Sequence, residues 1–227
     1  MRASQVLPSV GVTAVRLLAT PPESSPVDLP RVARTWWPLA ASWLLMSAEL
    51  PAIVAVVARL ADPEINLAAF GGVVFPLALI IESPVIMLLA ASTALCRDEA
   101  AYARIRSYMM RAGAALTVLH LALVVTPLYD VVVRGIIGAP EAVVEPARLG
   151  LLLMTPWTWA IAYRRFQQGV LIRYGHSRAV GLGTVARLAA DALVLGVGFA
   201  AGLPGIVVAG TAISAGVLTE AAVSGWL

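Results

Sequence analysis

The sequence predicts an all-α integral membrane protein with about six spanning helices. Three observations carry that prediction. Hydrophobic residues make up 60% of the chain and charged ones 13%, where a soluble domain carries about 25% charged residues. Apolar runs long enough for a hydrocarbon core of about 30 Å recur along the chain. Arginine collects in every second break between those runs, the pattern by which membrane proteins are oriented.

Mean hydropathy is +0.87, and the net charge of +3 comes entirely from arginine, because lysine is absent. A nucleic-acid binder would gather such charge on one polar face. Here it lies in short breaks, so the partner it implies is a lipid bilayer and not a nucleic acid. The single cysteine, Cys96, excludes an internal disulfide and reads as a small apolar residue near a helix end.

The elements follow in chain order. Residues 1–30 form a cytoplasmic flexible tail, with Arg16 interrupting any signal-peptide core and Pro21-Pro22-Glu23-Ser24-Ser25-Pro26 acting as a linker. Residues 31–227 form the transmembrane bundle. Its first helix is expected over Trp36–Val57, led by an interfacial tryptophan pair. The second, over Leu67–Leu95, contains Pro76 and Pro84 and is expected to bend. The third is placed at Ala112–Val133 and the fourth, the shortest, at Leu149–Tyr163. The fifth covers Val180–Gly202, and the sixth Ile206–Leu227 after the turn Gly202-Leu203-Pro204-Gly205.

Charge placement orients the bundle. Arg31 and Arg34 precede the first helix; Arg97, Arg104, Arg106 and Arg111 separate the second from the third. Arg164, Arg165, Arg173 and Arg178 separate the fourth from the fifth. In the alternate breaks acids outnumber arginines: Asp62 and Glu64 against Arg59, then Asp130, Glu141 and Glu145 against Arg134 and Arg148. The positive-inside rule puts the arginine side, and both termini, in the cytoplasm of a multi-pass protein in the plasma membrane.

Ionisable residues within apolar runs each cost a few kcal/mol unless they face protein or water. Glu49, followed by Pro51, and Glu82, followed by Ser83-Pro84, have no cation nearby in their own helices. That makes both candidates for coupling to a proton or sodium ion. Arg187 and Asp191 stand one helical turn apart and can pair, either as a cavity feature or as a self-neutralising clip. Glu220 reads as reaching water near a helix end, and His120 as a satisfied polar residue between helices. Gly198 and Gly202 offer a close-packing face.

Other chemistries find no support. The sequence has no G-x-x-x-x-G-K-[ST] phosphate loop. Two histidines and one cysteine do not build an ordinary zinc site. No nucleophile with a base can be assembled, so neither an enzyme nor a bound cofactor is expected.

The opening Arg34-Thr35-Trp36-Trp37-Pro38-Leu39-Ala40, the stretch Ala69-Phe70-Gly71 and the segment running from Tyr163-Arg164-Arg165-Phe166 to His176-Ser177-Arg178-Ala179 resemble the first half of multidrug and toxic compound extrusion (MATE) proteins and their flippase relatives. The progressive-ankylosis branch of that superfamily, which exports pyrophosphate or nucleotide, has similar features. The resemblance covers roughly residues 31–227. It implies a secondary-active exporter of small organic molecules, one half of a twelve-helix architecture, coupled to a proton or sodium gradient. An acid in the first helix serves cation coupling in the drug exporters, and Glu49 lies in the corresponding helix.

Since those proteins have about twelve helices, the chain corresponds to one half: a truncated product, or a unit that pairs with a second half or with its own copy. A half standing alone is then expected to expose a polar inner face bearing Glu49, Glu82 and the Arg187–Asp191 pair. The alternatives within transport are an exporter of an anion such as pyrophosphate and a flippase for a lipid-linked saccharide. Outside transport, the alternative is a membrane scaffold or remnant in which the charges merely pair.

Overall fold

The computed structural model describes residues 28–226. The described residues form an all-helical bundle. Its α1 comprises Leu29–Ser47 and Glu49–Val57, α2 spans Pro63–Leu95, and α3 spans Glu99–Val125. After a short irregular stretch come α4 (Glu141–Arg173), α5 (Ser177–Ala200) and α6 (Gly205–Trp226). Five of these, α1, α2, α3, α5 and α6, are long and apolar enough to cross a membrane. The predicted tail of residues 1–30 lies outside the described residues except for its last three, and α1 already includes Leu29 and Pro30.

Proline and glycine shape the helices locally. The helix α1 breaks at Ala48, three residues before Pro51, whose ring leaves no hydrogen on nitrogen for the helical ladder. In α2 a π-turn over Phe70–Val74 precedes Pro76, and a 3₁₀ turn over Ser83–Val85 holds Pro84. The helix therefore departs from α-helical geometry beside each proline. Gly202 adopts φ +61°, and Leu203 N–H donates to the Gly198 carbonyl at 3.1 Å, closing α5 with a left-handed cap. Gly198 itself permits the close approach of α6: a Cβ there would lie 2.6 Å from Val208 Cγ2. Gly202 serves the turn and not the packing, since nothing lies within 4 Å of a Cβ built on it.

Two helices differ from the sequence expectation. The third begins at Glu99 and not near Ala112, because the Asp98 side chain accepts from Ala101 N–H at 2.8 Å and caps it. It ends at Val125, just ahead of Pro127. Arg104, Arg106 and Arg111 thus ride on α3, and the break shrinks to residues 96–98. The fourth helix, expected to be the shortest, is 33 residues long. Its charged ends read as loop, yet they stay helical because other segments satisfy them. Arg148 sits 3.1 Å from Asp130 and 4.3 Å above the Tyr129 ring, and Arg173 donates to the Thr93 carbonyl at 2.7 Å.

Inter-helix contacts set the direction of each rod. Along α4, Gly150 packs on Val74 and Gly169 carbonyl accepts from Thr93 Oγ1 at 3.1 Å, so α4 runs parallel to α2. Leu153 carbonyl accepts from Ser214 at 2.8 Å and Arg164 meets Glu220, so α6 is parallel as well. Against α3 the order reverses: Tyr102 packs on Phe166, His120 on Thr158, and Tyr129 donates to the Val144 carbonyl at 2.5 Å just beyond the end of α3. Successive helices therefore alternate in direction. The least apolar helix, α4, is the hub, touching α2, α3, α5 and α6. A helix wrapped by other helices has no need of a lipid-compatible surface, which explains its polar residues.

Candidate functional site

Four helices converge on one buried cluster of charge. Arg187 of α5 holds Glu49 of α1 in a two-pronged pair, with Nη2 at 2.7 and 2.6 Å from the two carboxylate oxygens and Nε at 3.0 Å from Oε1. Its Nη1 reaches Glu220 Oε2 of α6 at 3.3 Å. The same Glu220 oxygen accepts from Arg164 Nη1 of α4 at 2.6 Å. Its other oxygen accepts from Gln168 Nε2 at 2.9 Å and Thr184 Oγ1 at 3.4 Å. Arg164 and Glu220 are 2% and 0% exposed.

Helix geometry makes the cluster possible. Arg164 and Gln168 stand four residues apart on α4, as do Arg187 and Asp191 on α5, so each pair shares a face. Gly183 lets α5 approach Glu220: a Cβ there would lie 3.4 Å from Glu220 Cγ. On α6, Gly216 leaves room for Asp191, whose Oδ1 would collide with any side chain added at that position.

Each sequence-predicted residue can now be placed. Glu49, Glu82, Arg187 and Asp191 are all 3–6% exposed. Glu49 has its cation, supplied by α5 across 138 residues of sequence. The predicted Arg187–Asp191 clip is loose, Nε to Oδ2 at 4.0 Å, because the guanidinium is aimed at Glu49. Glu220 does not reach water. Only six residues from the end of α6, it points inward and anchors the cluster. Arg164, Gln168 and Glu220 are not among the predicted site residues; an acid inside the last apolar run, with an arginine in another helix free to meet it, is the signal that points to them. His120 is buried between helices with Nδ1 2.8 Å from Thr158 Oγ1, but its Nε2 has no partner among the described residues, so the expectation of a satisfied side chain is met at one nitrogen only.

The expected polar inner face is absent among the described residues. The charges turn toward one another inside the six helices, where mutual pairing offsets a desolvation penalty that an exposed face would carry into lipid. A partner half is not required to shield them.

The charge does not balance within the cluster. Four carboxylates, Glu49, Glu82, Asp191 and Glu220, are buried with two guanidiniums, Arg164 and Arg187, and the half-buried Arg165 beside them acts on Glu82. Glu82 Oε2 and both Asp191 oxygens have no hydrogen-bond donor among the described residues. Asp191 and Glu49 face the same guanidinium, Arg187, which is bidentate to Glu49 and 4.0 Å from Asp191 Oδ2. One guanidinium offsets one of two carboxylates. The arrangement can therefore hold a proton, or another small cation, at two places: at Asp191 and at Glu82.

Beside the cluster lies a cavity of about 290 Å³ between α1, α2, α4 and α5, with Arg164, Arg165, Gln168 and Thr184 among its lining residues and Trp43 at its rim. Among the described residues no group of histidine, cysteine and carboxylate side chains is spaced to hold a metal ion. No protein-family model, no curated protein and no solved structure matches the chain.

Proposed function

We propose that the chain is a secondary-active membrane transporter of the MATE-like type, exporting small organic molecules against an inward flow of protons or sodium ions. The observation that carries this reading is the surplus of carboxylate: four buried acids on two buried arginines and the half-buried Arg165, with both Asp191 oxygens and Glu82 Oε2 lacking a donor among the described residues. Buried acids without compensation at this depth mark ion pathways in membrane proteins. In this reading Glu82 and Asp191 take up and release the coupling cation, while Arg187 passes between Glu49 and Glu220 as loads change. Glu49, the acid the resemblance singles out, positions Arg187.

The proposed orientation places both termini and the arginine-rich end in the cytoplasm of the plasma membrane. The proposed architecture is one half of twelve helices, completed by a second six-helix half or a second copy of the chain. Alternating access would then be the rocking of one half against the other.

A second reading is favoured by one observation: the chain of contacts Glu49–Arg187–Glu220–Arg164 is continuous and self-satisfying. A scaffold or remnant would need no more than that. Vesicle flux separates the two. Reconstituted protein given an acid-inside pH gradient, or in parallel a sodium gradient, should drive ethidium across the bilayer. Glu82→Gln and Asp191→Asn should each abolish the gradient dependence, and Glu64→Gln, an exposed residue, should leave it unchanged. Absence of flux under both gradients would overturn transport in favour of the scaffold.

A further inference from the structure

The cavity beside the cluster is lined by two arginines, and one of them makes no hydrogen bond or ion pair among the described residues. Arg164 is committed to Glu220, and so are Gln168 and Thr184. Ser42 donates to the Pro38 carbonyl at 2.8 Å. Arg165 has no hydrogen bond or ion pair to any described residue, and its Nε is buried without a partner. The Trp43 ring lies 5.7 Å from its Cζ. No carboxylate lines the cavity. Glu82 acts on Arg165 through space but makes no hydrogen bond or ion pair with it, so the guanidinium keeps donors to offer, and its planar fork matches the oxygens of a phosphate or carboxylate.

The remaining walls are apolar: Leu39 and Met46 from α1, Ile86 and Met87 from α2, Ile172 from α4 and Val180 from α5. Depth completes the picture. With 33 residues, α4 is about 50 Å long at 1.5 Å per residue. If its midpoint lies at the bilayer centre, Arg165 stands about 12 Å from that plane, just inside the edge of a hydrocarbon core about 30 Å thick. That is where a lipid headgroup meets its chain. We infer that this cavity binds a membrane-resident anionic amphiphile, with its phosphate or carboxylate head on Arg165 and its alkyl chain along the α1–α2 walls. The site stands whether or not the chain transports anything.

The test is ligand-dependent thermal unfolding of the full chain in a neutral maltoside detergent. Dodecyl phosphate should raise Tm by about 5 °C near saturation. Inorganic phosphate and dodecyltrimethylammonium should not. Arg165→Gln should weaken the dodecyl phosphate response at least tenfold in concentration, and Arg165→Lys should keep part of it. Ala90→Trp, which fills the cavity and leaves Arg165 in place, gives the same answer if Arg165→Gln does not purify. A shift undiminished in Arg165→Gln or Ala90→Trp overturns the site. An equal shift with inorganic phosphate overturns the amphiphile, and an equal shift with the cationic amphiphile overturns the charge preference.

Discussion

Arg187 and Glu49 are joined by three hydrogen bonds of 2.6–3.0 Å between α5 and α1, and both side chains are 6% exposed. Breaking one partner of such a pair strands a buried charge, which costs about 3–5 kcal/mol. Glu49→Gln and Arg187→Gln should each lower stability by that order in micelle unfolding experiments. The double substitution Glu49→Leu with Arg187→Met should recover much of the loss. If both singles unfold like the parent, the pair does not hold α1 to α5.

Asp191 and Gly216 are coupled through space. Because Asp191 Oδ1 occupies the position a side chain at 216 would need, Gly216→Ala should destabilise the bundle by about 1–3 kcal/mol. Trimming the opposing group in the pair Gly216→Ala with Asp191→Ala should be less harmful than the two effects added. Strict additivity in the cycle would show that the contact is not the cause.

Cys96 is fully buried at the end of α2, and burial pushes its thiol up to about 11 against the opposing pull of Arg173. The thiolate is the reactive form, so a maleimide at pH 7 should label native protein slowly and detergent-unfolded protein quickly. Labelling of native protein should rise as pH approaches 11. Equal rates before and after unfolding at pH 7 would mean that Cys96 is open to solvent.

Sidedness follows from the arginine count and can be read with fusion reporters. A reporter after Arg97 or Gly175 should lie in the cytoplasm, and one after Ala61 or Ala139 outside. The reverse pattern would end the proposed orientation while leaving the helix order intact.

The all-helical class, five of the six expected spans and the breaks at Pro51, Pro76, Pro84 and Gly202 could be read from the sequence alone; the fourth, α4, is not apolar enough to count as a span. Each is a local property: hydropathy sums over neighbours in the chain, and proline or glycine acts within one turn. The inward position of Glu49 and Glu82 was legible too, because a carboxylate at that depth has few places to go. The length of α4 was not. Its polar residues lower the local hydropathy, and only the surrounding helices, Asp130 against Arg148 and the α2 carbonyls against Arg173, explain why they stay helical.

The tertiary structure alone decided which charges meet. Arg187 and Asp191 are neighbours by periodicity, yet the guanidinium turns to Glu49 because α1 presents a full carboxylate at bidentate distance. Glu220 looks like a helix-end residue in sequence and is the best-shielded acid of the cluster, at 0% exposed. Its partners Arg164 and Arg187 lie 56 and 33 residues away. An ion pair depends on which faces of two helices touch and how closely, and glycines at 183 and 216 set that distance. Hydropathy carries no term for it. That is why the sequence names a membrane bundle, and the packing of α1, α4, α5 and α6 names its buried charge cluster.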